Sequence, residues 1–315
     1  MKRAPIVLLL LVLTVAAWFF LKPKPPEPIG TGARLTFTAL PDLAEKFSGD
    51  HAYAQVKAIT AFGPRPPASE NYGKVMAYLE AEFAKSGWTT ARQTFTRVTP
   101  RGPVNFCNLL ARHGTADWTK SLPVVIGGHI DSKDLPAFHF IGANDGGSST
   151  GVIVELARVL ATDPQAAGQV ELVLFDGEEA LLGSLTHADG LYGSKYYALE
   201  LSKRSTWPAI GIVLDLVGDK KYPIQSNPDA PAHFSDAVKS AAKDSGFDLT
   251  SYPGQILDDH IPLQGTKLPT LHLIGDFTQM PYWHQAGDTL EVIDPAALEQ
   301  TGRTVLRFLA RVKGS

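Results

Sequence analysis

The chain has 315 residues, 44% of them hydrophobic and 19% charged, with a net charge of −3. That apolar share excludes a disordered segment and is enough for one large domain with a sizeable core. The first 24 residues carry four basic side chains (Lys2, Arg3, Lys22, Lys24) and no acidic one, so removing those four charges from −3 leaves the body at −7; an acidic body without a basic run offers nucleic acid no electrostatic footprint.

Met1-Lys2-Arg3 leads into an apolar run from Pro5 to Leu21, followed by Lys22-Pro23-Lys24-Pro25-Pro26. A run of roughly 17 residues is at the lower limit for spanning a bilayer and longer than a usual signal-peptide core. Trp18, Phe19 and Phe20 occupy the zone where a small-residue cleavage site would lie. The pattern predicts an uncleaved signal anchor, in preference to a cleaved signal peptide, with an exported (periplasmic or extracellular) globular part held at the membrane, or secreted if the segment is cleaved. Pro23 to about Gly32 reads as a linker, which divides the chain into an anchor and linker over 1–32 and a single domain over 33–315. Cys107 is the only cysteine, so no intrachain disulfide forms, and its apolar neighbours assign it to packing.

Leu43–Phe62 and Asn71–Lys85 have helical apolar spacing and flank the loop Gly63-Pro64-Arg65-Pro66-Pro67. Thr89–Val98 and Val104–Arg112 read as two strands joined across Pro100-Arg101-Gly102-Pro103. An alternation follows: strands over Leu122–Ile126, Val170–Phe175, Ala209–Leu214 and Pro269–Ile274, and helices over Ser149–Leu160, Ser194–Lys203, Ala232–Ser245 and Pro295–Val312. This is the pattern of an α/β domain: one central, mostly parallel mixed sheet flanked by helices.

In open α/β sheets the ligand site lies beyond the carboxyl ends of the strands. There the sequence places Gly127-Gly128-His129-Ile130-Asp131-Ser132-Lys133, then Gly142-Ala143-Asn144-Asp145-Gly146-Gly147 opening the next helix. Asp176-Gly177-Glu178-Glu179 follows the second strand, Asp215 ends the third, and Tyr282-Trp283-His284 lies beyond the fourth. Each of these residue types alone is commonplace, but four strand exits converging on one edge are not. His, Asp and Glu without Cys suit zinc. Asp145, Glu179 and His284 would supply three ligands and leave an open position, which frees Glu178 as a general acid/base.

The spans 127–132, 142–160, 172–179 and 283–289 resemble the zinc aminopeptidase family M28. Phe175-Asp176-Gly177-Glu178-Glu179-Ala180, Leu191-Tyr192-Gly193-Ser194-Lys195 and Asp258-Asp259-His260-Ile261-Pro262-Leu263 are similar to the animal-type glutaminyl-peptide cyclotransferases. Leu271-His272-Leu273-Ile274 and Trp283-His284 extend that similarity, which covers Ala52 to the C-terminus. The resemblance implies a zinc aminopeptidase-like fold, one catalytic zinc on Asp145, Glu179 and His284, and peptide or protein N-termini as substrates. It also implies Glu178 as the proton carrier, Asp215 and Asp258 as a polar network around it and the substrate amine, and Trp283 as a wall of the glutamine pocket. The chain departs from that pattern after the Glu pair, reading Leu181-Leu182-Gly183-Ser184 where those enzymes carry an aromatic pocket residue.

The competing expectation is a two-metal aminopeptidase, with His129 and Asp215 holding a second ion bridged by Asp145. Lys133 and the Asp-Asp-His-Ile-Pro segment favour the cyclase. A catalytically dead binding module is disfavoured because every ligand is present. His272 reads as a structural strand residue, and His260 either orients Asp258 or starts a helix.

Overall fold

The computed structural model describes residues 32–114 and 117–313. The anchor and most of the linker lie outside the described residues. Among the described residues, no helix is long and apolar enough to cross a membrane.

Eight strands form one sheet: β1 (Trp88–Thr99), β2 (Gly102–His113), β3 (Val124–His129), β4 (Val170–Phe175), β5 (Ile210–Asp215), β6 (Ile224–Ser226), β7 (Thr250–Ser251) and β8 (Thr270–Gly275). Their order is β1-β2-β4-β3-β5-β8-β6-β7. The four central strands β4, β3, β5 and β8 run parallel, whereas the β1–β2 hairpin joins β4 antiparallel and β6 joins β8 antiparallel. All residues of the central four are buried, as expected where helices cover both faces. Side chains alternate between two cores. Ile126, Leu172, Ile212 and Leu273 join the larger one, and Val125, Val173 and Val213 the smaller.

The larger face carries α1 (Gly49–Thr60), α2 (Glu70–Lys85), α3 (Gly147–Leu160), α5 (Ala232–Asp244) and α7 (Pro295–Arg311), and the smaller carries α4 (Tyr192–Leu201) and α6 (His260–Gly265). The helix expected over Leu43–Phe62 is split. Ser48 adopts an extended conformation and its hydroxyl caps α1 by accepting from His51 N, while its own N–H donates to the buried Glu155 at 2.9 Å. A capping serine ends one helix and starts another. The first strand of the alternation starts and ends later than its apolar run suggested, so His129 is the strand's last residue rather than part of the loop beyond it. The short β6, β7 and α6 have no counterpart among the elements expected from the sequence.

Candidate active site

At the carboxyl edge of the parallel strands, the exits are locked to one another by buried polar groups. Asp131, two residues past β3, accepts the backbone N–H groups of Glu178 at 3.1 Å and Glu179 at 3.3 Å, which fixes the exit of β4 against that of β3. Asp176 accepts from Cys107 N at 2.7 Å and donates its own N–H to Asn108 Oδ1 at 2.9 Å. Between them Gly177 has φ +68°, and a Cβ there would lie 2.5 Å from the Phe106 ring; only glycine allows both the angle and the approach.

Asp145 is presented by a second clamp. Arg65 is completely buried, and its guanidinium donates to the carbonyls of Ile130 (2.6 Å), Gly142 (2.9 Å), Asp145 (3.3 Å) and Ile141. Asp288 accepts the N–H groups of Asn144 at 2.7 Å and Asp145 at 3.1 Å. Gly146 then turns into α3 with φ +76°, at a place where a Cβ would lie 2.7 Å from Asp131 O.

These clamps bring the first predicted trio together. His284 Nε2 lies 3.1 Å from Glu179 Oε1 and 3.3 Å from Asp145 Oδ2, and one ligand atom from each residue falls within 4.8 Å of the others. His284 takes a left-handed backbone conformation (φ +52°). Its ring stacks on Trp283 at 4.2 Å and meets the edge of Phe140 at 6.1 Å. Burial works against charge on His284, but hydrogen bonding to Asp145 and Glu179 pushes its pKa up to about 10. Apart from that contact Asp145 Oδ2 is buried without a hydrogen-bond partner. A buried carboxylate oxygen in this state, beside a second carboxylate and an imidazole, fits a zinc ion with an open position. Lys133 Nζ holds the other oxygen of Glu179 at 2.9 Å.

The second trio is also assembled but differently engaged. His129 Nε2 lies 3.0 Å from Asp215 Oδ1 and 3.1 Å from Asp145 Oδ1, while Nδ1 faces Asp131 O at 3.1 Å. Every partner of the ring is an oxygen: Nδ1 meets the Asp131 carbonyl, which fixes the ring, and Nε2 faces both carboxylates. Although burial opposes the charge, Asp215 first, then Asp131 and Asp145, hold the His129 pKa well above its usual value. Burial in turn raises Asp215 to about 6, against His129.

Glu178, Asp215 and Asp258 line the same cleft as the first trio, beneath walls that include Leu185, Leu257, Phe277 and Trp283. Burial, with Glu179, Asp258 and Asp259 adding to it and His129 opposing, holds the Glu178 carboxyl well above the usual range. Of the Asp pair, Asp258 reaches the cleft and Asp259 is buried without lining it. Phe277 packs on Trp283 with ring centres 4.8 Å apart, so the loop before Trp283 supplies an aromatic wall. The position beyond the Glu pair is closed by Leu185 instead of a ring. A larger groove of about 630 Å³, between α2 and the β1–β2 hairpin, contains none of these donors.

His272, read from sequence as structural, lies 3.0 Å from Asp258 Oδ2, and His260 does begin α6. Arg65 and Asp288 were not singled out. Asp288 stood inside a family-like span, whereas Arg65 sat in a proline loop with nothing to distinguish it.

Residues 108–309 match the model of Peptidase family M28. The chain is 30% identical over 283 residues to the mouse glutaminyl-peptide cyclotransferase-like protein, covering 79% of this chain and 72% of that protein. Its fold is similar to that of Porphyromonas gingivalis glutaminyl cyclase, with a TM-score of 0.74 and 27% identity over 85% of this chain and 99% of that one. It is similar as well to a Zn-dependent exopeptidase from Parabacteroides distasonis, with a TM-score of 0.74 and 28% identity over 86% and 99%.

Proposed function

Since the chain belongs to peptidase family M28 and, within it, to the glutaminyl-peptide cyclotransferases, we propose that it closes the N-terminal glutamine of peptides to pyroglutamate with release of ammonia. The observation that carries this reading is one small cleft in which a zinc-type trio, Glu178 and the carboxylates of Asp215 and Asp258 share a floor beneath Phe277 and Trp283.

Asp145, Glu179 and His284 would hold the ion, which when bound supplies a Lewis acid for the γ-carboxamide oxygen. The remaining work falls to the protein. The reaction is intramolecular, so the site must hold a folded-back glutamine with its amine near the amide carbon. Phe277 and Trp283 wall the side chain, and Asp258 and Asp215 face the amine. Glu178 takes the proton that the amine loses on attack and returns it to the departing nitrogen. One carboxyl suffices because the amine and the leaving nitrogen belong to the same residue, and no water is consumed.

The reading takes one zinc per chain, on Asp145, Glu179 and His284; His129, Asp145 and Asp215 are the donors a second ion would use. The N-terminal run, with its basic and proline-rich flanks, supports anchorage of an exported catalytic domain at the membrane. Protease protection of the full chain in intact cells checks that reading.

The decisive experiment gives the purified zinc-loaded enzyme a glutaminyl peptide and a leucyl amide. The expected result is ammonia release and the matching mass loss from the first, no cleavage of the second, and one zinc per chain. Leucyl cleavage with two bound ions would assign the chain to the aminopeptidases instead.

A further inference from the structure

Asp258 is held from behind by a buried chain of groups that the reaction scheme does not use. His272 Nε2 stands 3.0 Å from Asp258 Oδ2, too bent for a linear hydrogen bond but close enough for a strong electrostatic contact. On the far side of the ring, Nδ1 meets the Tyr252 hydroxyl at 3.1 Å. His260 stacks on the His272 ring at 4.0 Å and 15°, and its Nε2 lies 3.5 Å from the same hydroxyl. All four side chains are buried, with Tyr252 only 3% exposed.

The stacking partner and the strand backbone fix the plane of His272 but do not fix which edge faces Asp258. A half-turn of the ring would put carbon where Nε2 now stands and would satisfy the stack equally well. Two contacts break that symmetry in the same sense: the Asp258 carboxylate is met by Nε2 and the Tyr252 hydroxyl by Nδ1, and neither is satisfied by a carbon. Burial, with Asp258 and Asp229 adding to it, holds the phenol far above its ordinary range, so Tyr252 remains a hydroxyl. Tyr252 is itself held by its backbone N–H on Ser226 O at 3.1 Å and by packing against Leu216, Ile274 and Met280.

We propose that Tyr252 is a positioning residue of the reaction: its hydroxyl, on the far side of the ring from Asp258, locks the His272 orientation that keeps Asp258 aimed at the substrate amine. The inference rests on the reading that Asp258 faces that amine. Tyr252 is not among the residues that line the cleft.

The test uses Tyr252→Phe in the complete zinc-loaded enzyme, with zinc content and melting temperature as controls. Two quantities are measured: kcat/KM for a glutaminyl peptide, and Ki for the same peptide with its α-amine replaced by hydrogen. The first should fall roughly tenfold, the scale of one lost hydrogen bond, while the second stays within about twofold. A merely structural role would weaken both together, and that outcome, or an unchanged kcat/KM, overturns the proposal. Asp258→Asn is assayed in parallel. If it leaves kcat/KM intact, the amine reading falls and takes this inference with it; if it lowers kcat/KM while Tyr252→Phe does not, only the inference falls.

Discussion

Lys133 and Glu179 form a buried ion pair, Nζ to Oε2 at 2.9 Å, with both side chains nearly closed to solvent. The same carboxylate offers its other oxygen to His284. A cation fixed to one oxygen of a metal-binding carboxylate competes with the metal for its charge, and removing one partner of a buried pair leaves the other uncompensated. Lys133→Met should therefore destabilise the metal-free protein and tighten zinc binding. The gap in melting temperature between chelator-treated and zinc-loaded samples should widen relative to wild type. A narrower gap would mean that Lys133 helps to hold the metal.

The adjacent glutamates should separate cleanly under mutation. Glu179→Gln removes a proposed ligand, so bound zinc should be lost along with activity. Glu178→Gln leaves the trio intact and removes only the proton carrier, so zinc should stay while kcat falls by about 10²–10⁴. Atomic absorption on both variants beside the activity assay decides the matter, and equal zinc contents would undo the division of roles.

Arg65 is a fully buried cation whose partners are mostly backbone carbonyls. Arg65→Met would orphan those carbonyls and release the loop that presents Asp145. The expected cost is at least about 3 kcal/mol, since each buried acceptor left unpaired costs roughly 1–3 kcal/mol, read as a lower urea midpoint. Zinc affinity should fall with it.

Cys107 is half-buried, and burial first, then Asp176, raises its thiol to about 11. Only the thiolate alkylates, so at pH 8 it should react on the order of a hundredfold more slowly than an unperturbed thiol. The rate should rise about tenfold per pH unit up to about 10. Mass spectrometry of a timed iodoacetamide reaction measures it.

The alternation of apolar runs and amphipathic stretches was enough to read the four parallel strands, because each is buried on both faces and thus almost wholly apolar. The β1–β2 hairpin was legible as two runs joined across the Pro-Arg-Gly-Pro turn. β7 spans only Thr250–Ser251, and two residues carry no period. At the site, chain order showed which residues leave each strand, and the fold brings those residues to one edge. It could not show the groups that hold them. Arg65 acts through carbonyls, which leave no trace in residue identity. His272 looked like one polar residue in an apolar strand, and its meaning depends on Asp258 and Tyr252 arriving from separate turns. Two adjacent aspartates look alike in sequence, and only the start of α6 at His260 decides that Asp258, not Asp259, lines the cleft.

The proposed metal donors are scattered along the chain, with Glu179 and His284 separated by 105 residues. An ion gripping both would act as a cross-link, closing a long loop of the unfolded chain much as a disulfide would. With one cysteine, the protein has no covalent staple of its own. The ion that activates the amide would thus also fasten the C-terminal third to the rest of the fold, and heat resistance and catalytic competence should be lost together as the metal is withdrawn.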